Sequence, residues 1–150
     1  MTTVLITCAC LVALTGFLHY EVLRGLYSGL PRLHMPDRAK LLVVIATAFV
    51  AHAVEILLYG GALYGLVTWA GAGQLAGATG SLVTASLYFS AETYTSLGFG
   101  DVTPLGPVRL LAGVEALNGL LLIGWTASFT YISMERFWTA DGVRRPPRRD

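Results

Sequence analysis

Three long apolar stretches constrain the fold of this chain more than any other feature. They cover residues 1 to 18, 41 to 70 and 110 to 134, and the charged or histidine side chains inside them are His52, Glu55 and Glu115. A helix rises about 1.5 Å per residue, so about 20 residues cross the ~30 Å hydrocarbon core of a bilayer. The sequence therefore predicts an all-α membrane protein with three transmembrane helices.

Composition and proline placement agree with this prediction. Charged residues make up 13% of the chain, whereas soluble domains carry about 25%. Every proline lies in a predicted connection: Pro31, Pro36, Pro104, Pro107, Pro146 and Pro147. The first stretch has no basic start and no small-residue cleavage site, so we expect a retained helix over 1–24 rather than a secretory signal.

Basic residues predict the orientation. One group, Arg24, Arg32, Arg38 and Lys40, lies around the connection 25–40, and another, Arg136, Arg144, Arg145, Arg148 and Arg149, lies at or beyond the end of the third stretch. Cytoplasmic segments carry the excess of Lys and Arg. We therefore expect the loop 25–40 and the tail 139–150 in the cytoplasm and the N-terminus outside, which places residues 71 to 106 outside as well.

Residues 71 to 106 nevertheless do not read as a polar loop. After four glycines, residues 81 to 94 are apolar with small hydroxyl side chains. As a helix this segment is about 21 Å long, too short to cross a bilayer but suitable for a re-entrant helix. Thr79 or Ser81 can cap its start.

The chain that follows this helix interrupts itself with Gly98-Phe99-Gly100. Irregular backbone at membrane depth must be buried in protein or line a water-filled path. Glycines permit left-handed dihedrals, so successive carbonyls can turn toward one axis and replace the hydration shell of a cation. The negative C-terminal end of the re-entrant helix points to the same place.

The run Thr95-Ser96-Leu97-Gly98-Phe99-Gly100-Asp101 resembles the signature Thr-Thr-Val-Gly-Tyr-Gly-Asp of potassium channels. The resemblance implies a pore domain over 41–138 and a homotetramer in the bilayer, with the first helix packed outside the pore. Its parts are the outer helix 41–70, the pore helix 80–94, the filter 95–101 and the inner helix 107–138.

The resemblance also implies roles for individual residues. The Ser96 hydroxyl and the carbonyls of Ser96, Leu97, Gly98 and Phe99 would bind K⁺, with Gly100 at the outer mouth. Glu92, Thr95 and Asp101 would support the filter, and Glu92 would share a proton with Asp101. Ser96, Leu97 and Phe99 depart from the threonine, valine and tyrosine of the signature, and Phe99 loses a hydroxyl that would tie the filter to the pore helix.

The third helix should line the inner cavity, because it follows the filter directly. Gly119 and Gly124 are candidates either for a bend or for close helix packing. By the resemblance, Leu121, Gly124 and Ser128 face the cavity.

Two polar pairs are spaced three residues apart within predicted spans. Glu115 and Asn118 lie on one helix face, and we expect Glu115 to bond to hydroxyls of the pore helix. His52 and Glu55 predict an internal hydrogen bond, with His19 or Glu21 of the first helix as a partner. A proton-sensitive contact between that helix and the pore is a further hypothesis, because histidine titrates near neutrality.

The sequence therefore predicts a passive potassium-selective channel in a cell membrane, of the bacterial inner-membrane type by resemblance. A weakly selective cation channel and a non-conducting subunit of another transport complex are the alternatives. We expect no enzyme activity, no cofactor besides permeant K⁺, no metal site outside the filter and no nucleic acid or known protein partner. Gly98-x-Gly100 lacks the third glycine of a dinucleotide-binding loop.

Overall fold

The computed structural model describes residues 1–144, with side chains through residue 136. Its elements are the helices α1 (Thr2–Gly29), α2 (Asp37–Thr68), α3 (Leu82–Tyr94) and α4 (Val108–Arg144), a 3₁₀ turn (Leu30–Arg32) and the strands β1 (Gln74–Ala76) and β2 (Thr103–Leu105). The final part of the predicted tail, residues 145–150, lies outside the described residues.

Three helical segments are long and apolar enough to cross a membrane: Thr2–Arg32, Asp37–Thr68 and Val108–Arg136. This confirms the predicted all-α architecture with three spans. The loop predicted at 25–40 is much shorter, since helical structure continues through Arg32 and resumes at Asp37. The reason is packing: Leu26 and Leu30 are buried in one cluster with Val44 of α2, which extends the buried stripe of α1 by two turns.

Two apolar clusters hold the helices together. In the first, Val4 and Leu11 of α1 lie with Leu63 of α2 and Leu111 of α4. The second gathers the other end of α1 around Val44, with Phe129 of α4 packed against it. Helices α1 and α4 therefore run in the same direction and α2 runs against both. Between the clusters lie the buried polar residues Thr15, His19, Glu55 and Asn118.

Strands β1 and β2 form a short antiparallel pair that the sequence reading missed. Gln74 pairs with Leu105 and Ala76 pairs with Thr103. A side chain at Gly73 would meet the Leu105 carbonyl oxygen at 2.1 Å, and one at Gly77 would meet the Asp101 carbonyl oxygen at 2.0 Å. The glycines of the lead-in thus allow it to pack directly against the chain that leaves residue 101.

Helix α3 is held between α2 and α4. Its N-cap is Ser81, whose hydroxyl accepts from the Thr84 N–H at 3.2 Å, so one of the two predicted caps is confirmed. Gly60 of α2 faces Leu87, and Gly119 of α4 faces the Tyr94 carbonyl, which leaves no room for a side chain at either glycine. These contacts fix the C-terminal end of α3, from which the loop 95–101 emerges.

Candidate functional site

The backbone of the loop 95–101 alternates in handedness. Ser96, Gly98 and Gly100 have φ values of 59°, 56° and 77°. The left-handed region is open to glycine and costs other residues about 1–2 kcal/mol. The left-handed backbone predicted for Gly98 and Gly100 is therefore present in the structure. Ser96 adopts the same conformation although it is not glycine.

Three consecutive N–H groups of this loop, those of residues 97–99, are directed to one residue, Glu92. Its backbone carbonyl accepts from the N–H groups of Leu97 at 2.8 Å and Gly98 at 3.3 Å. Its side-chain Oε2 accepts from the Phe99 N–H at 3.2 Å. Alternating backbone handedness gathers N–H groups into such a concave nest. Glu92 is itself buried, so it is a fixed anchor for the loop.

The carbonyl groups of the loop remain open. Within residues 1–144, no hydrogen bond is accepted by the carbonyl oxygen of Ser96, Leu97, Gly98 or Phe99. A carbonyl without a protein partner must be hydrated or must coordinate a ligand, since an unpaired buried one is costly. Because the N–H groups face Glu92, the structure leaves a row of oxygen acceptors for the opposite side.

Asp101 is attached to the middle of α3 through Tyr88. Its carboxylate accepts from the Tyr88 hydroxyl at 3.2 and 3.1 Å and from the Val102 N–H at 3.1 Å. Desolvation raises the pKa of the Tyr88 hydroxyl, and its bond to Asp101 raises it further. The Tyr88 hydroxyl thus remains a donor at neutral pH, and the filter loop is tied to α3 at both of its ends.

The expected pairing of Glu92 with Asp101 is replaced by these separate bonds. Glu92 is bonded to Phe99 and Asp101 to Tyr88. Thr95, the third predicted support residue, bonds back to the Ala91 carbonyl at 2.8 Å and so caps the end of α3. Proton sharing between the two carboxyls therefore stays a prediction without a contact in this structure.

One chain leaves this loop on its surface. All of residues 95–101 are exposed, with Leu97 exposed by 58% and Phe99 by 69%. Large apolar side chains at such exposure indicate a surface that contacts another molecule. The row of carbonyls is open on the same part of the chain, so a single chain cannot surround an ion.

The predicted inner-helix residues divide into two groups. A Cβ at Gly119 would lie 2.2 Å from the Tyr94 carbonyl oxygen, whereas one at Gly124 would meet nothing within 4 Å. Close packing therefore explains Gly119, and a bend stays a prediction for Gly124. Leu121, Gly124 and Ser128 share an exposed face of α4. Ser128 donates to the Gly124 carbonyl at 3.0 Å.

Glu115 and Asn118 contact different helices. The Ser90 hydroxyl of α3 bonds to Glu115, as predicted, and also contacts the Ile56 carbonyl at 2.8 Å. A hydroxyl has one proton and a backbone carbonyl none, so Glu115 supplies the proton in its contact when Ser90 donates to Ile56. Asn118 donates to Thr15 of α1 at 2.8 Å.

His52 and Glu55 belong to a larger buried cluster, which we call the polar ring: His19, His52, Glu55 and Thr126. Glu55 bonds to His19 and to His52, and Tyr94 of α3 donates to Glu55. The first-helix partner is thus His19, one of the two that were expected. Ligand atoms of the two histidines and Glu55 all lie within 4.8 Å of one another, a spacing that would also suit a metal ion. The ring nitrogens are already engaged in hydrogen bonds, so the arrangement fits protons as it stands.

Sequence reasoning missed three participants, Tyr88, Tyr94 and Thr126. Each is an ordinary residue of an apolar helix, and only the packing shows its partner. The sequence did contain an indication of Tyr88. Phe99 lacks the hydroxyl that would tie the filter to the pore helix, which suggests that another hydroxyl on that helix takes this role.

Comparison with known proteins relates this chain to ion channels. The model of an ion-channel family matches residues 40–136. Protein LctB of Bacillus caldotenax is 50% identical over 42 residues, which is 28% of this chain and 31% of that protein. The inward rectifier potassium channel Kirbac3.1 of Paramagnetospirillum magnetotacticum is 30% identical over 97 residues, which is 64% of this chain and 33% of the channel. No solved structure matches the chain significantly.

These matches cover a minor part of each relative. A second LctB protein, from Geobacillus stearothermophilus, is 39% identical over 56 residues and is matched over 42% of its length. The chain thus aligns with less than half of each of these proteins. The family match, by contrast, includes α2, α3, the filter loop and most of α4.

Proposed function

Because the chain belongs to the ion-channel family, within its pore-domain potassium-channel type, we propose that it is a potassium-selective channel that conducts K⁺ passively through residues 96–100. Transport rather than catalysis is the activity to which this membership points. The proposed ligands are the carbonyls of Ser96, Leu97, Gly98 and Phe99 with the Ser96 hydroxyl. K⁺ is the permeant ion and no cofactor is involved.

The observation that carries this proposal is the division of the filter loop into two sides. The N–H groups of residues 97–99 bond to Glu92 on one side, and the carbonyls of residues 96–99 have no partner among the described residues on the other. Rows of carbonyls in a ring of subunits replace the hydration shell of K⁺. The C-terminal end of the α3 helix dipole adds negative potential near the same loop.

The proposed working unit is a homotetramer in a cell membrane. One chain supplies one filter segment, and potassium channels use four such loops around the axis. The exposure of Leu97 and Phe99 provides apolar surface for neighbouring subunits. Association of identical chains around a closed rotation axis satisfies every such surface at once.

The proposed orientation has the N-terminus and the filter outside and the C-terminus in the cytoplasm. The ends of α1 and α4 that carry basic residues are neighbours, since the Arg136 guanidinium lies 4.8 Å from the centre of the Tyr27 ring. Arg32 and Lys40 flank the short connection at that same end. A single basic face of this kind favours the cytoplasmic side.

We predict that the purified protein in liposomes supports K⁺-driven flux and that Gly98→Ala abolishes it. Gly98 has φ 56°, and an alanine there resists the left-handed conformation that orients the loop. Gly61→Ala is the matched control, because a Cβ at this helical position meets nothing within 4 Å. Normal flux in Gly98→Ala would remove the filter from the account. Absence of flux from a well-formed wild-type tetramer would instead favour the non-conducting subunit.

A further inference from the structure

The polar ring joins three helices through four hydrogen bonds. Glu55 of α2 contacts Nδ1 of His19 (α1) at 2.9 Å through Oε1 and Nδ1 of His52 at 2.9 Å through Oε2. The opposite nitrogens of both rings reach the same hydroxyl, Thr126 Oγ1 of α4, at 3.1 Å from His19 Nε2 and 2.9 Å from His52 Nε2. Tyr94 of α3 donates to Glu55 from outside the ring, and its hydroxyl oxygen also lies 3.0 Å from Nδ1 of His52, where it can share the proton of that nitrogen. The side chains of His19, Glu55 and Tyr94 are fully buried.

Counting protons shows what this ring needs. Each of its four contacts must contain one proton, and the Thr126 hydroxyl supplies only one. The two imidazoles and the carboxyl together must therefore hold three protons. Two neutral histidines and an ionised glutamate hold two, so the closed ring holds one more. That extra proton resides either on a histidine or on Glu55, and in both cases the net charge of the ring is zero.

Loss of the extra proton has a defined cost. Three protons remain for four contacts, so two lone pairs face each other in one of them. The ring would also carry an uncompensated negative charge on the fully buried Glu55, which is expensive. One contact must open, and water or a rotated side chain must take its place. The closed arrangement is thus the protonated form.

We propose that the polar ring is a proton-binding site that locks α1 against the pore domain, and that loss of this proton alters K⁺ conduction. Thr126 lies two residues beyond Gly124 on α4, and Tyr94 directly precedes the filter loop. Opening of the ring therefore acts on both the inner helix and the pore helix. The conduction half of this proposal rests on the proposed function, whereas proton binding does not.

Other titratable groups near the ring come from each packed element. Tyr94 of α3 faces Glu55 directly, and Tyr59 of α2 and Glu115 of α4 interact electrostatically with Tyr94. From α1 the facing group is His19 itself, with Trp125 of α4 packed on its ring at 5.5 Å between centroids. A change in the protonation of Glu115 would add its own pH dependence to the measured profile. The same variants are therefore also measured in a Glu115→Gln protein.

The first experiment follows the melting temperature of the detergent-solubilised protein between about pH 5 and 8, where histidine titrates. Below about pH 6.5 the two histidines of the unfolded chain hold four protons against three in the closed ring, and above it they hold two, so the melting temperature of the wild type should rise toward this pH and fall beyond it. Thr126→Val removes the shared hydroxyl at nearly constant volume and should flatten this dependence, and Thr126→Ser should restore it. His34→Gln, at an exposed histidine before α2, should behave as the wild type.

Parallel pH curves for the wild type, Thr126→Val and His19→Gln would overturn the proton site. A change of the wild-type curve on adding a chelator would overturn it too, since a metal ion would then hold the cluster. The second experiment repeats the series as K⁺ flux, where one proton permits up to about a tenfold change per pH unit. Flux without pH dependence would overturn the coupling alone. Absence of flux would contradict the proposed function. The melting experiment would still test whether the polar ring binds a proton.

Discussion

At the scale of single residues, Glu92 determines the shape of the filter loop. It holds three consecutive N–H groups, two through its backbone carbonyl and one through its side chain. Its position inside an uncharged helix made it visible in the sequence. Its partner was not, because a carboxyl nine residues before Asp101 can bond either to that carboxylate or to the backbone between them.

We predict that Glu92→Gln conducts nearly as the wild type, whereas Glu92→Ala conducts poorly. The glutamine oxygen can still accept from the Phe99 N–H, but alanine removes this acceptor and leaves the loop without its side-chain anchor. Potassium flux in liposomes measures the difference. Glu21→Ala, an exposed carboxylate on α1, is the control and should have no effect. Equal flux in Glu92→Ala and Glu92→Gln would refute the anchoring role.

At the scale of elements, the contact of α4 with the end of α3 fixes where the filter begins. The backbone carbonyl of Tyr94 packs against Gly119, and the Tyr94 hydroxyl contacts His52 of the polar ring. Gly124 lies on the opposite, exposed side of this contact. Two glycines that look alike in the sequence therefore have different reasons to be glycine.

We predict opposite effects for alanine at these two glycines. Gly119→Ala places a Cβ 2.2 Å from the Tyr94 carbonyl oxygen, an overpacking that costs about 1–3 kcal/mol. Gly124→Ala meets no atom of the described chain within 4 Å and gains up to about 1 kcal/mol of helix propensity. Thermal melting in detergent should show a lower midpoint for the first variant only. A lower midpoint for Gly124→Ala alone would mean that the roles are reversed.

The elements were predictable to different degrees for physical reasons. Hydrophobic length determined α1, α2 and α4, because no other structure buries so many apolar residues while satisfying the backbone in lipid. The end of α1 was predicted too early in the chain. The basic residue Arg24 suggested that the helix ends there, but Leu26 and Leu30 are buried and the helix continues. The β1–β2 pair left no periodic signal, as each strand has only three residues.

The site was predictable where chemistry is local and hidden where it is long-range. Gly98 and Gly100 announced their left-handed backbone in the sequence. His52 and Glu55 announced a polar contact by their spacing within α2. Thr126, by contrast, is 74 residues from His52 along the chain, and no sequence spacing relates the two. Only the packing of α1 and α4 against α2 brings the polar ring together.

At the scale of the whole molecule, the proposed pore is completed by further copies of the chain. The carbonyl row is open, the filter side chains are exposed, and the helices that carry them are fixed by two apolar clusters. Selection of K⁺ by the proposed filter requires that each loop 95–101 is held firmly in place. The bonds of Glu92 and of Tyr88 with Asp101 provide that firmness in place of the tyrosine that Phe99 replaces.

The measurement that tests the central claim most directly is the reversal potential of purified channels in a planar bilayer, with K⁺ on one side and Na⁺ on the other. A carbonyl-lined filter held at both ends predicts a potential far from zero, in the direction set by K⁺ leaving its own side. Gly61→Ala should give the same value. A reversal potential near zero would contradict K⁺ selection by residues 96–100 and establish a weakly selective cation pore.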